Sequence, residues 1–120
     1  PGNRVYMAGS ELRDHDGAAF DRAAFDTIAA HYTDWSILSA SSVHPKRGFL
    51  VQEQCEVDMC IAMMEVSEKR LWAVDGSKFS EQQIALALPR PKEGDSLVTN
   101  VRPELKFNHI WQQMKLIIAD

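Results

Sequence analysis

Apolar positions along this chain fall into short runs and helix-spaced stripes, and the two kinds alternate. Residues 5–8 form a short apolar run that reads as a buried strand, closed by Gly9-Ser10. Asp16 can cap a helix running to about Tyr32, because Phe20, Ala24, Phe25, Ile28 and Tyr32 make one apolar face. Residues 35–40 form a second strand, and residues 41–48 a loop carrying His44, Pro45, Lys46 and Arg47. Residues 52–67 read as a helix through Cys55, Met59, Met63 and Val66, and residues 70–74 as a third strand. Asp75-Gly76-Ser77-Lys78 is a turn. A short helix, capped by Ser77 or Ser80, follows to about Leu88 and is stopped by Pro89-Arg90-Pro91. Residues 97–101 form a fourth strand. Pro103 opens a last helix with Phe107, Ile110, Trp111, Met114 and Ile117 on its face.

Strands that alternate with helices build βαβ units. The expected fold is therefore α/β: a small three-layer, Rossmann- or flavodoxin-like domain with a mostly parallel sheet of four to five strands. Val5, Ile37 and Leu71 should lie on neighbouring strands, and both faces of the sheet should be covered.

Composition narrows the partners. A chain of 120 residues is expected to form a single domain spanning 1–120. The apolar share of 45% and charged share of 25% are those of an ordinary globular protein. The net charge is −4 and no Lys/Arg cluster tracks one face, which argues against nucleic acid as the main partner. No apolar stretch reaches the roughly 20 residues that span a bilayer, so no membrane partner is expected. The chain opens at Pro1 without Met, which leaves room for a trimmed N-terminus. Cys55 and Cys60 stand five apart in the expected helix and so face different ways. Both are expected to be reduced, as in a cytoplasmic setting.

Ligands of parallel sheets sit at the carboxyl ends of the strands. That rule selects Tyr6 with Gly9-Ser10, residues 41–47, and residues 75–81. Asp14-His15-Asp16 lacks the closing acid of a calcium loop and reads as a solvated loop with a helix cap. His44, with Lys46 and Arg47, offers either an anion site or a solvated loop, and His31 and His109 have no ligand-spaced partners. Met59, Met63 and Met64 read as core filler. No Walker loop, dinucleotide fingerprint, nucleophile elbow or zinc spacing occurs. Neither a metal nor a cofactor is expected.

Val5-Tyr6-Met7-Ala8-Gly9-Ser10, the Phe20 and Ala23-Ala24 spacing, Pro45 after the second strand, and the run Asp75 to Ala85 resemble the nucleoside 2-deoxyribosyltransferase superfamily over about residues 4–88. The resemblance implies a nucleoside or nucleotide ligand, cleaved or transferred at its N-glycosidic bond. Glu81 would be the nucleophile and Tyr6 its orienter. Gly9, Ser10, Asp75, Ser77 and Asp58 would contact the substrate, and Ser10 and Ser77 would reach its sugar or 5′-phosphate. A carboxylate against an anomeric carbon stabilises the cationic sugar and can trap it covalently. A homo-oligomer also follows from the resemblance. Lys78 and Phe79 depart from the superfamily's small residues before the glutamate. They support a second reading: a non-catalytic interaction or inhibitor protein whose pocket is filled, with a protein as its partner.

Overall fold

The computed structural model describes residues 2–9, 11–15 and 17–119. Its frame is a parallel sheet of four strands: β1 (Thr33–Leu38), β4 (Ser67–Ala73), β6 (Ser96–Thr99) and β7 (Lys115–Ile118), ordered β1-β4-β6-β7. Every neighbouring pair is parallel, and Ile37 lies opposite Leu71 as expected. A second, antiparallel sheet joins β2 (Ser42–His44), β3 (Gly48–Val51) and β5 (Leu86–Ala87) in that order. The fold is thus α/β with a mostly parallel sheet, and the small antiparallel sheet is added to it.

Several elements differ from the pattern, each for a local reason. Residues 5–8 do not pair with any strand among the described residues, and Val5, Tyr6 and Met7 are exposed. A strand exists only with a partner edge, and β1 pairs with β4 alone. Helix α1 covers only Arg22–Ala29, with Asp21 as its cap; the Asp21 carboxylate accepts from Ala24 N at 2.9 Å. The expected cap, Asp16, lies outside the described residues. Tyr32 falls beyond the helix and donates to the Glu68 carboxylate at 2.6 Å.

The loop expected at 41–48 is a hairpin instead. His44 Nδ1 accepts from the backbone N–H groups of Lys46 (3.1 Å) and Arg47 (3.2 Å), and Gly48 turns the chain at φ +83°. The short helix expected before Leu88 does not form. The Arg47 guanidinium donates to the carbonyls of Ile84 (2.7 Å) and Ala85 (3.1 Å), which holds that segment extended beside the hairpin.

The last helix is also replaced. A 3-10 helix, Leu105–Ile110, buries Phe107 and Ile110, and the β-branched run after it becomes β7. Spacings of three and four fit a 3-10 turn running into a strand as well as they fit an α-helix.

Helix α2 (Gln54–Glu65) runs between β3 and β4 and buries Cys60 and Met64. The core continues through Leu38, Val43, Phe49, Trp72, Leu97 and Phe107. Phe49 and Trp72 join the two sheets, with ring centroids 4.5 Å apart. Beneath them lies a buried polar knot. Asp95 accepts from Arg70 Nε at 2.8 Å, Trp72 Nε1 at 3.1 Å and Lys92 N at 2.9 Å. Coverage of the sheet is less complete than expected: Trp35 and Ile37 on β1 remain exposed. No helix among the described residues is long and apolar enough to cross a membrane.

Both cysteines are free. Burial pushes the Cys60 thiol up to about 11. Half-buried Cys55 is also raised, first by burial and then by its bond to Glu53. Reactivity follows thiolate content and access. Alkylation of the folded protein at pH 8 should therefore modify Cys55 well before Cys60, with equal reaction in denaturant. Mass mapping that finds Cys60 labelled first would contradict this packing.

Candidate functional site

A cavity of about 310 Å³ opens at the carboxyl end of β1. The end of β1 and the residues after it supply one wall: Ile37, Leu38, Ser39, Ala40 and Ser41. Helix α2 supplies Glu56, Met59, Cys60 and Met63, whose spacing of three, one and three turns them to one side. Val51, Leu88 and Phe20 complete the lining.

Glu56 is held by the helix start that it caps. Its Oε2 accepts from the backbone N–H of Glu53 (3.1 Å) and of Gln52 (3.3 Å). Next to it, the Arg13 guanidinium bonds Glu53 and lies 4.5 Å from the centre of the Phe20 ring. Arg13, then Cys55, hold the Glu53 carboxyl below its usual range. The segment before α1 is thereby tied to the start of α2 at the edge of the cavity.

A second cavity of about 310 Å³ lies beside β1 and α1, lined largely by apolar groups that include Tyr6, Ile28, Trp35, Met63 and Val66. The Tyr6 ring stands 6.3 Å from that of His31.

The sequence-predicted residues are scattered across the molecule. Tyr6 belongs to this second cavity. Exposed Glu81 accepts from Lys106 Nζ at 3.2 Å, beside the 3-10 helix 105–110. No hydrogen bond links Tyr6 to Glu81, and Glu81 stands in no helix. Asp58 is on the outer face of α2 and accepts from Gln54 at 2.9 Å. Gly9, at φ +87°, packs against the start of α1, where an added Cβ would stand 2.7 Å from the Asp21 carboxylate. An acid therefore already occupies the place where an anion would meet that helix end. Ser10 lies outside the described residues.

Asp75 and Ser77 do come together, after β4. The Asp75 carboxylate accepts from Ser77 N (3.1 Å) and Ser77 Oγ (2.9 Å), which holds its carboxyl below the usual range. Gly76 is needed here for close approach. Its N–H donates to Asn100 Oδ1 at 2.7 Å, and a Cβ at this position would collide with the Val101 side chain. Exposed Lys78 sits beside this turn, and its carbonyl accepts from Ser42 Oγ at 3.4 Å, one residue from the cavity-lining Ser41. Phe79 packs edge-on against Phe107 in the core and fills no cavity described here.

Sequence reasoning reached Ser41, at the start of the selected segment 41–47, and passed over Ser39 and Glu56. The available signal was Glu53-x-x-Glu56 ahead of an apolar run, a pair that marks a helix start.

Residues 1–100 match the sequence profile of the family described as the DeoR C terminal sensor domain. The chain belongs to that family. Among its curated relatives is the glycerol-3-phosphate regulon repressor of Haemophilus influenzae, 30% identical over 117 residues, which cover 97% of this chain and 45% of that protein. The repressor of the same name from Escherichia coli K12 is 34% identical over 76 residues, 63% of this chain and 30% of the relative. The chain thus spans about half the length, or less, of the curated relatives it matches.

Membership in the DeoR sensor-domain family overturns the resemblance to nucleoside 2-deoxyribosyltransferases. With it go the N-glycosidase, transferase and hydrolase readings and the nucleoside as substrate. The geometry agrees, since the carboxylate–phenol pair that such chemistry needs is not assembled. The second sequence reading, a non-catalytic protein, fits the family better.

Proposed function

We propose that this chain is the effector-sensing part of a longer transcriptional repressor. It binds a small phosphorylated polyol or sugar at the carboxyl edge of its parallel sheet and performs no chemistry on it. The observation that carries this reading is the cavity at the end of β1, formed by Ser39, Ser41, Glu56 and the thioether face of α2 in a chain of this family. The carboxyl edge is where parallel sheets receive ligands. The names of the relatives point to the ligand class. Of the sequence-predicted residues, Asp75 and Ser77 belong to this edge, and exposed Lys78 is the cation beside it. The acidic balance of the chain supports a reading in which DNA is contacted by another part of the repressor. Self-association of the whole repressor belongs to the same reading.

Thermal unfolding tests it. A ligand that binds only the folded state adds roughly 2.7 kcal/mol at a hundredfold excess over Kd. Glycerol 3-phosphate should raise the melting temperature, and Ser41→Phe, which fills the cavity, should abolish the rise with the far-UV spectrum unchanged. The proposal fails if a panel of phosphorylated polyols and sugars leaves the melting temperature unmoved. It also fails if the protein releases base from a nucleoside.

A further inference from the structure

The lining of the cavity at the end of β1 has a feature that the relatives' names do not foretell. Among the described residues, no Lys, Arg or His lines it. Its one charged group is the acid Glu56. The Arg13 guanidinium, at the edge of the cavity beside Phe20, is engaged with Glu53. The start of α2 is already faced by the two carboxylates of its reciprocal cap, Glu53 and Glu56, which repel an anion there. Burying a phosphate without a cation or a set of donors is strongly unfavourable, and a carboxylate beside it adds repulsion.

What the cavity does offer is specific. Glu56 Oε1 has no partner among the described residues, although its twin oxygen is fixed. Ser39 and Ser41 line the same space, and neither hydroxyl has a hydrogen-bond partner among the described residues. Met59 and Met63 supply adaptable thioether surface between them. A fixed carboxylate oxygen accepts well from a hydroxyl, and thioethers pack against C–H groups.

From this we infer that the cavity takes an uncharged, hydroxyl-bearing carbon chain, the polyol end of an effector, with Glu56 accepting from its hydroxyl, and that any phosphate stays outside. The inference rests on the sensing reading above and adds the orientation of the ligand and the residue that selects it.

Methionine-methyl NMR of the whole chain separates the possibilities, with 1,2-hexanediol and inorganic phosphate as probes. Met59 lines this cavity, while Met114 lies on a different one and serves as the control. The diol should shift the Met59 methyl saturably and leave Met114 in place, and phosphate should move neither. Glu56→Gln keeps a carbonyl oxygen for the helix cap but turns an amide donor toward the ligand. It should weaken the diol by about tenfold, the scale of a hydrogen bond to a charged group.

A Met59 shift with phosphate would overturn the inference. So would a diol that moves Met114 equally, or that moves neither methyl. Unchanged diol affinity in Glu56→Gln would overturn the carboxylate contact. If phosphate moves Met59 while glycerol 3-phosphate still raises the melting temperature, sensing stands and the orientation falls. If the diol behaves as expected but no phosphorylated ligand stabilises the protein, the cavity chemistry stands and the proposed effector class falls.

Discussion

Asp95→Ala should destabilise the protein by about 3–5 kcal/mol, the range for breaking one side of a buried ion pair. Asp95 is fully buried and gathers the Arg70 guanidinium, the Trp72 indole N–H and the Lys92 backbone N–H on its two oxygens. Removing it strands a buried cation and two donors at once. Among the described residues, Arg70 then keeps only its bond to the Ser67 carbonyl, at 3.0 Å. The damage falls where β6 begins, because Ser96 lies opposite Leu71 on β4. Urea unfolding of Asp95→Ala, Arg70→Met and the double variant checks the argument. The double variant should lose much less than the two single losses added together, since it leaves no charge unpaired. A loss below about 1 kcal/mol for Asp95→Ala would contradict the account of this network.

Trp72→Ala should be as damaging, at about 3–5 kcal/mol. The side chain is completely buried and stacks on Phe49, so its removal opens a cavity where the parallel and antiparallel sheets meet. It also takes a donor from Asp95. Trp72→Phe keeps one ring against Phe49 and loses the N–H and part of the indole volume, so it should cost roughly 1–2 kcal/mol. Denaturant titrations followed by fluorescence of the remaining tryptophans and by far-UV dichroism would separate the two terms. Equal losses for the two variants would mean that packing against Phe49 contributes little.

Three of the four strands of the parallel sheet, β1, β4 and β6, were legible because apolar runs bounded by turn residues leave few alternatives; β7 was read as the end of a helix. Ile37 and Leu71 fell on neighbouring strands as the pattern implied. Elements decided by a single distant contact were not legible. Residues 80–85 have the composition of a short helix, yet the Arg47 guanidinium captures their carbonyls from across the hairpin. Residues 5–8 have the composition of a strand, yet no partner strand meets them among the described residues.

The rule for parallel sheets pointed to the carboxyl edge at which the cavity opens, whereas the resemblance pointed to residues that the structure does not bring together. Tyr6, Glu81 and Asp58 were drawn together by a resemblance built on the order of common α/β pieces. The structure holds them on separate elements. The cavity residues carry weak sequence signals. Ser39 and Ser41 are ordinary loop serines, and Glu56 reads first as a helix cap, a role it also performs. The second role proposed for Glu56 rests on its place in the cavity lining, which spacing alone does not encode.

The central claim is that an effector is sensed in the cavity at the end of β1. Hydrogen exchange with and without glycerol 3-phosphate tests it most directly. Backbone amides of residues 39–41, at the end of β1, and of residues 53–56, at the start of α2, should gain protection. The turn at residues 75–78 should follow if phosphate is held outside the cavity near Lys78. Protection confined to residues 5–8 and α1, beside the second cavity, would contradict the account and place the sensing site there.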